Sequence, residues 1–429
     1  MKVIIVGAGI GGLTAGIALR RKGHDVQIFE RSSLLSEVGA AINVCPNASQ
    51  ILSQWGFDFE RSGMVSARNH MKASGRTLDV ESSVTYPDFT PIYGGPWLLA
   101  HRVDLHNELR RVATGTEKPG KPVELTLRAE VVDYDVENGY ITLGDGSTHH
   151  ADLIVGADGV HGDAVRHVLG HSLSSIATGW AVFRWLTPSN ELTGDPEIAP
   201  LLEDALSVRD GMTRFLATDE DMRRIVWYPC ADNTLQNFVA VHQDRRTDDE
   251  REDWDRSASV EDVISQYSDF HPNIIKIIRK ATNIKRWPLL YREPIKTLSK
   301  GRLVLIGDAA HPMLPPSTDQ GQGGAQAIED GAALGEIFTD IADNPSLDEI
   351  RARLAIFEQV RLRRVSAMQV LSDAGQDRVF EVRERAKQYM PPGVEVPSSM
   401  KEFRDHNFGY DVLEDSRRHL REYLDGVKN

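Results

Sequence analysis

MKVIIVGAGIGGLTAGIALRRKGHDVQIFER, residues 1–31, reads as a strand, a glycine turn, a helix and a second strand, and that order decides the fold. Lys2–Val6 is a short apolar run rich in β-branched residues. Gly7, Gly9 and Gly12 follow it in the order G-x-G-x-x-G, and a helical pattern begins at once. Each glycine has a mechanical reason: the first makes the tight turn, the second lets backbone approach a pyrophosphate, and the third lets helix and strand pack closely. The helix start supplies free N–H groups and the positive end of its dipole for phosphates. A second strand, Asp25–Phe29, ends in Glu30, about twenty positions beyond Gly12, where an acid accepts ribose hydroxyls. An acid there disfavours a 2′-phosphate on that ribose. The unit therefore predicts a site for FAD or NAD and leaves the choice between them open.

The chain has 429 residues, enough for two or three domains with a sizeable core. Its net charge of −14 argues against nucleic acid or an anionic membrane as the main partner. Two cysteines, Cys45 and Cys230, are too few for a disulfide framework or a zinc site of usual spacing, and read as buried free thiols with no metal expected. Because the first strand begins at Lys2 and no apolar run approaches spanning length, the expectation is a protein without cleavable signal or stable membrane insertion, in the cytoplasm.

Beyond residue 31, a glycine-containing loop from about Ser32 to Val44 leads into a helix beginning at Pro46–Asn47. Strands are expected within 67–96, and WLLAHRVDLHNELRRVA starts a helix with Arg102 at its head. Val123–Val132 and Gly139–Leu143 read as strands, with Asp145–Gly146 as a hairpin turn. The run Ala151–Gly156 ends in GADGVHGDAVR, which puts Asp158 at the sheet edge where the first motif opens. Tryptophan-rich strands such as GWAVFRWLT, RRIVWYPCA and NFVAVHQ follow, and then DRRTDDEREDWDRS, read as a solvated loop. Ser259–Tyr267 and Asn273–Lys280 read as helices. The strand Leu303–Ile306 runs into Gly307–Asp308, a proline-rich loop, and Gly321, Gly323 and Gly324 at the start of a long helix. Helices continue to about Lys387, and the polar tail holds one further helix near its end.

Three separated motifs, GAGIGG with Glu30, GADGVHGDAVR, and GDAAHPMLP with GQGGAQAIEDG, together resemble the FAD-dependent aromatic hydroxylases, the single-component flavoprotein monooxygenases typified by salicylate and 4-hydroxybenzoate hydroxylases. The resemblance covers roughly residues 1–370. It implies an α/β fold with a Rossmann-like FAD-binding domain (1–66, 97–170 and 286–365), an inserted β-sheet substrate domain (67–96 and 171–285) and a helical C-terminal region (366–429). Carried onto matching residues, it implies that Gly7, Gly9 and Gly12 hold the pyrophosphate and Glu30 the adenosine ribose. Arg31, Ala41 and Arg102 join the FAD set. Asp158 touches FAD and, in passing, NADH or NADPH, and Asp308 binds the ribityl chain or pyrophosphate. The loop from His311 to Gly324, with Gly321, Gly323 and Gly324, lies against the flavin ring. Two departures stand out: Gly162 replaces the usual serine, and the loop between Pro315 and Gly321 is longer than the commoner pattern.

The implied activity is hydroxylation of a small phenolic or benzoate-like aromatic substrate through a flavin hydroperoxide, consuming NAD(P)H and O2, with or without loss of carboxylate. Arg184 matches a position where the family often carries arginine near the substrate, and Tyr228 a strand residue that can face it. An arginine could hold a phenolate or carboxylate, and a tyrosine could hydrogen-bond it or relay its proton. His311 completes the catalytic candidates, as a residue that positions the loop. Alternatives are a flavin-dependent epoxidase or dearomatising oxygenase of a secondary-metabolite intermediate and, more remotely, a flavin-binding protein that oxygenates nothing. The expected assembly is a monomer or homodimer.

Overall fold

The computed structural model describes residues 1–33, 40–203, 209–217, 222–244, 256–314, 321–373 and 379–428. A six-stranded sheet runs in the order Ser299–Lys300, Leu303–Leu305, Leu153–Gly156, Lys2–Val6, Asp25–Glu30, Glu124–Leu127. All neighbours in it are parallel except the first pair. Its apolar β-branched strands are buried on both faces, as parallel sheets require. The helix Ile10–Arg21 packs on one side, with Leu13, Ile17 and Leu19 buried. Buried Arg20 ties it to the helix Arg102–Thr114 through the carbonyls of Val112 at 3.0 Å and Ala113 at 2.6 Å.

A seven-stranded sheet is ordered Thr282–Tyr291, Ile176–Pro188, Leu235–Gln243, Arg224–Cys230, Gly211–Leu216, Asn69–Ser74, Val80–Thr85. Strand periodicity divides it into two faces. Phe183, Trp185, Phe215, Trp227 and Phe238 pack on the helices Val260–Tyr267 and Pro272–Arg279. Trp227 and Phe238 are essentially fully buried, each contributing about 2 kcal/mol by area. The opposite face, with Val182, Met212, Val226, Tyr228, Val239 and Val241, joins the core of the nucleotide layer. A small sheet of Ala41–Val44, Leu98–His101 and Val65–Ser66 lies at that junction.

Three expectations are corrected. The stretch expected as one strand over Val123–Val132 is two: Glu124–Leu127 belongs to the parallel sheet, and Val131–Asp135 to a separate three-stranded sheet. Arg128, at φ +56°, turns the chain between them. The loop after Arg31 ends in the strand Ala41–Val44, because pairing with Leu98–His101 supplies its hydrogen bonds. A single helix, Leu347–Asp373, begins the C-terminal part of the chain. The tail holds two helices, Met400–Phe408 and Val412–Lys428. Most of DRRTDDEREDWDRS, residues 245–255, lies outside the described residues, as do 34–39 and 315–320 of the glycine and proline loops. Both cysteines are buried and neither is in a disulfide. No helix among the described residues is long and apolar enough to cross a membrane.

Candidate active site

The parallel strands deliver the sequence motifs to one carboxyl edge. Gly7 has φ +101°, and a Cβ there would lie 2.3 Å from the carbonyl oxygen of Ala157. A Cβ on Gly12 would lie 2.0 Å from the oxygen of Gly7, so the helix touches the turn. Over Gly9 there is nothing within 4 Å, and the helix Ile10–Arg21 begins there without a side-chain cap. Glu30 accepts from the N–H of Ala8 at 2.8 Å and of Ser32 at 2.7 Å, one on each oxygen, leaving each a second lone pair. Arg31 is exposed beside it.

A second uncapped helix start joins the same edge. Gly321, at φ +51°, precedes the helix Gln322–Ile337, which has neither a side-chain cap nor an acid in its first turn. A Cβ on Gly321 would stand 2.4 Å from Asn43 Cβ, and one on Gly324 2.9 Å from Ile42 Cδ1, whereas Gly323 faces more open space. This helix runs parallel to Ile10–Arg21: Gly11 meets Ala327, Gly331 meets Ala15, and Gly335 meets Ala18. Two positive dipole ends therefore point the same way. Between them Asp308 opens onto the edge without a hydrogen bond or ion pair among the described residues; desolvation pushes its carboxyl up, opposed by the charges of His311 and Arg102. Open backbone over Gly9, two donor cradles, a ribose acceptor and an unpartnered acid fit FAD.

Beneath this edge lies a buried polar network. Asp330 Oδ2 accepts from the Gly307 N–H at 2.9 Å and meets His311 Nε2 at 2.6 Å. Arg361 binds Asp330 Oδ1 at 2.8 Å and also Glu329, which Arg364 grips at 2.7 and 2.8 Å. Asn47 reaches Glu329 at 2.6 Å and Gln322 at 3.2 Å. The network thus joins the Gly307 turn to the start of the second helix. His311 sits inside it, 1% exposed, where it holds the loop.

Above the edge, the inward face of the seven-stranded sheet carries charge. Directly paired residues share a face, and one row across the sheet reads Lys285, Arg184, Val239, Val226, Arg214, Lys72. The neighbouring row holds Asn237 and Tyr228. Arg184, Tyr228 and Asn237 converge on the backbone of one residue: the Ala41 carbonyl accepts from Arg184 at 3.1 Å and from the Tyr228 hydroxyl at 3.1 Å. The Ala41 N–H donates to Asn237 at 3.1 Å. Arg184 Nε and Asn237 Nδ2 remain buried without a partner. The Arg184 guanidinium stacks 4.6 Å from the Trp287 ring centroid. Burial lowers its pKa, Tyr228 raises it and Arg102 lowers it. Burial pushes the Tyr228 hydroxyl up to about 12. Arg184, Trp287, Lys285, Ala40 and His101 line a cavity of about 470 Å³.

Asp158 serves its own turn. Its Oδ2 accepts from the Ala164 N–H at 3.0 Å and the Tyr134 hydroxyl at 3.3 Å, while Oδ1 is buried without a partner. Glycine at 162 permits this, because a Cβ there would stand 2.0 Å from Asp158 Cγ. Sequence reasoning passed over Asn237, Trp287, His101 and the Asp330–Arg361 pair. Asn237 carries a readable signal: it is the polar member of the inward set with Val239 and Val241. The partners of Asp330 come from a distant helix and leave no local pattern.

The family described as FAD binding domain matches residues 1–349. An FAD-dependent monooxygenase of Diaporthe leptostromiformis is 41% identical, over 92% of this chain and 96% of its own. Hispidin-3-hydroxylase of Neonothopanus nambi is 35% identical, over 99% of this chain and 97% of its own. Among solved structures, CtdE in complex with FAD and a substrate has a TM-score of 0.80 at 21% identity, covering 100% of both chains, a likeness of fold.

Proposed function

The chain belongs to the FAD-dependent monooxygenases, and from that premise we propose that it uses NAD(P)H and dioxygen to hydroxylate a small, acidic hydroxyarene of phenolic or benzoate-like type. The observation that carries this reading is the basic inward face: Arg184, which lines the cavity, has its Nε buried without an acceptor, as is Asn237 Nδ2 on the same side of the sheet. Buried donors in that state favour a ligand that brings acceptor oxygens. A planar ring with an ionised hydroxyl or carboxylate has the right charge for Arg184 and the right shape for the wall that Arg184 and Trp287 form.

Gly7, Gly9 and Gly12 would hold the pyrophosphate of FAD, Glu30 with Arg31 beside it the adenosine side, and Ala41, Arg102, Asp308, Gly321, Gly323 and Gly324 its flavin half. Asp158 would act through its turn. The chemistry supplied by FAD, when bound, is hydride acceptance from NAD(P)H and activation of dioxygen. The balance is one ring C–H converted to C–OH, one NAD(P)H oxidised, and the second oxygen atom released as water. Arg184 orients the substrate by its anionic oxygen and, with Trp287, excludes water from one side. The uncapped start of Gln322–Ile337 offers backbone N–H groups to negative charge. His311, through Asp330, keeps that segment in register with Gly307.

Simple ring hydroxylation is favoured over a decarboxylating, salicylate-type course by the 35% identical relative named as a hispidin hydroxylase. Oxygenation of a secondary-metabolite intermediate fits the same residues. The test is to supply FAD, NADH or NADPH, and single hydroxyarenes, following nucleotide consumption and product mass. Added oxygen without lost carbon dioxide supports hydroxylation; lost carbon dioxide supports the salicylate course. The reading is overturned when no aromatic compound accelerates consumption.

A further inference from the structure

Hydroxylation of an acidic ring needs somewhere for the ring hydroxyl's proton to go. Tyr228 is a poor receiver, because its hydroxyl stays protonated and is already committed to the Ala41 carbonyl. His311 is sealed in the network with Asp330. His101 differs from both. It lines the cavity with Arg184, and in the small sheet it pairs directly with Ala41, the residue that Arg184 and Tyr228 clamp. Its Nδ1 lies 2.9 Å from Asp104 Oδ2, while Nε2 bonds to nothing among the described residues. Its side chain is 14% exposed and that of Asp104 39% exposed, so the pair spans from cavity to solvent.

The local sequence offers these two residues a different use. His101 precedes the helix Arg102–Thr114 and Asp104 lies in its first turn, the spacing at which side chains cap a helix. Neither caps it: the helix start has no side-chain cap, and the carboxylate is turned to the imidazole instead. A carboxylate on Nδ1 fixes the tautomer with its lone pair on Nε2 and favours the imidazolium once formed.

We propose that His101, aligned by Asp104, is the base that takes the proton from the substrate's acidic hydroxyl in this cavity, with Arg184 holding the oxyanion left behind. This rests on the cavity being the substrate site. The O–H bond breaks and an Nε2–H bond forms. The positive ring is balanced by Asp104, the negative oxygen by Arg184, and the proton passes on to water at the exposed side of the pair. The charged groups around His101 are Asp104 on its Nδ1, its chain neighbour Arg102, and Arg184 and Lys285 in the lining of the same cavity. Cys230, within electrostatic reach of Asp104, is a neutral thiol pushed up to about 12 by burial.

The FAD-loaded protein titrated with 4-nitrophenol, whose phenolate is coloured, reads ionisation of a bound hydroxyl without turnover. The wild type is expected to bind the phenolate at a pH below the midpoint of the free phenol. His101→Gln moves the bound midpoint up by roughly one pH unit or more, and Asp104→Asn moves it by less. In turnover, His101→Gln lowers kcat/KM by roughly 10²-fold or more and changes its pH profile, and imidazole added to His101→Gly restores rate. The proposal is overturned when the bound phenol ionises at the same pH in wild type and both variants, or when kcat/KM keeps its pH profile and imidazole restores nothing. A wild type that ionises bound 4-nitrophenol yet oxidises NAD(P)H no faster with any hydroxyarene overturns the hydroxylase reading alone.

Discussion

Replacing Asp330 with asparagine tests whether the buried network holds the cofactor edge. Asp330 accepts from Gly307 and His311 on one oxygen and from Arg361 on the other, at 2.9, 2.6 and 2.8 Å. Asparagine keeps the shape but offers one acceptor oxygen, so either Arg361 or the Gly307–His311 pair faces an NH2 group. Burial alone would push the Asp330 carboxyl up; His311 and Arg361 overcome it and hold it at about 2, against an ordinary 3.8. At about 1.4 kcal/mol per pKa unit that difference is roughly 2 kcal/mol. Buried Arg361, left with Glu329 as its one carboxylate, adds to it, for a total of about 3–5 kcal/mol. An unfolding entropy of about 2.1 cal/mol/K per residue, over 429 residues, is roughly 0.9 kcal/mol/K, so Tm falls by roughly 3–6 °C at pH 7. A carboxyl whose folded pKa is depressed contributes stability above its unfolded value, and that contribution is lost as pH falls toward the folded value. The gap between wild type and Asp330→Asn is therefore full at neutral pH and narrows below about pH 4. Scanning calorimetry of the FAD-loaded proteins at pH 7, with urea melts at lower pH, measures both. Equal Tm and equal FAD content, or a gap that does not narrow in acid, refute the reasoning.

Gly12→Ala puts a methyl 2.0 Å from the Gly7 oxygen and separates helix from turn; the purified protein is expected to be colourless at FAD levels that saturate the wild type, and a yellow variant would contradict this. Gly162→Ser, the residue more usual in the family, displaces the Asp158 carboxylate and costs the Ala164 N–H its acceptor, about 1 kcal/mol by urea titration. An unchanged midpoint would mean that the turn tolerates the side chain. Arg184→Met keeps the stem on Trp287 but removes the charge, so KM for an acidic hydroxyarene should rise roughly 10- to 100-fold. Steady-state kinetics with a neutral arene as control decides it, since equal rises for both substrates would exclude a charge effect.

The cofactor edge was legible in the sequence because its chemistry is backbone chemistry: Gly7, Gly12 and Gly321 stand where any side chain would collide, and such positions print themselves as glycine. The strand starts at Lys2 and Asp25 and the helix start at Pro46 followed from the same local logic. Register was not legible. The row from Lys285 through Arg184 to Lys72 exists only because seven strands from four distant stretches pair as they do. Gly162 was read as a departure from pattern, and its reason, room for the Asp158 carboxylate, is a tertiary contact. Arg184 and Tyr228 share the inward side of their sheet, but the Ala41 carbonyl that both bind belongs to a strand read as loop.

The network around Glu329 reaches further along the chain than the cofactor motifs do. Arg364 donates to the carbonyls of His406 at 3.4 Å and Asn407 at 3.2 Å and lies 4.0 Å from the ring centroid of Tyr410. Arg417 and Lys22 share Glu336 at 3.0 Å each, tying the last helix to the first. On a ribosome adding about 5–20 residues per second, the glycine turn at residue 7 emerges roughly 20–80 s before these clamps exist. A chain that ends before residue 400 carries all the motifs but lacks these clamps, and it is expected to retain less FAD through gel filtration than the full chain.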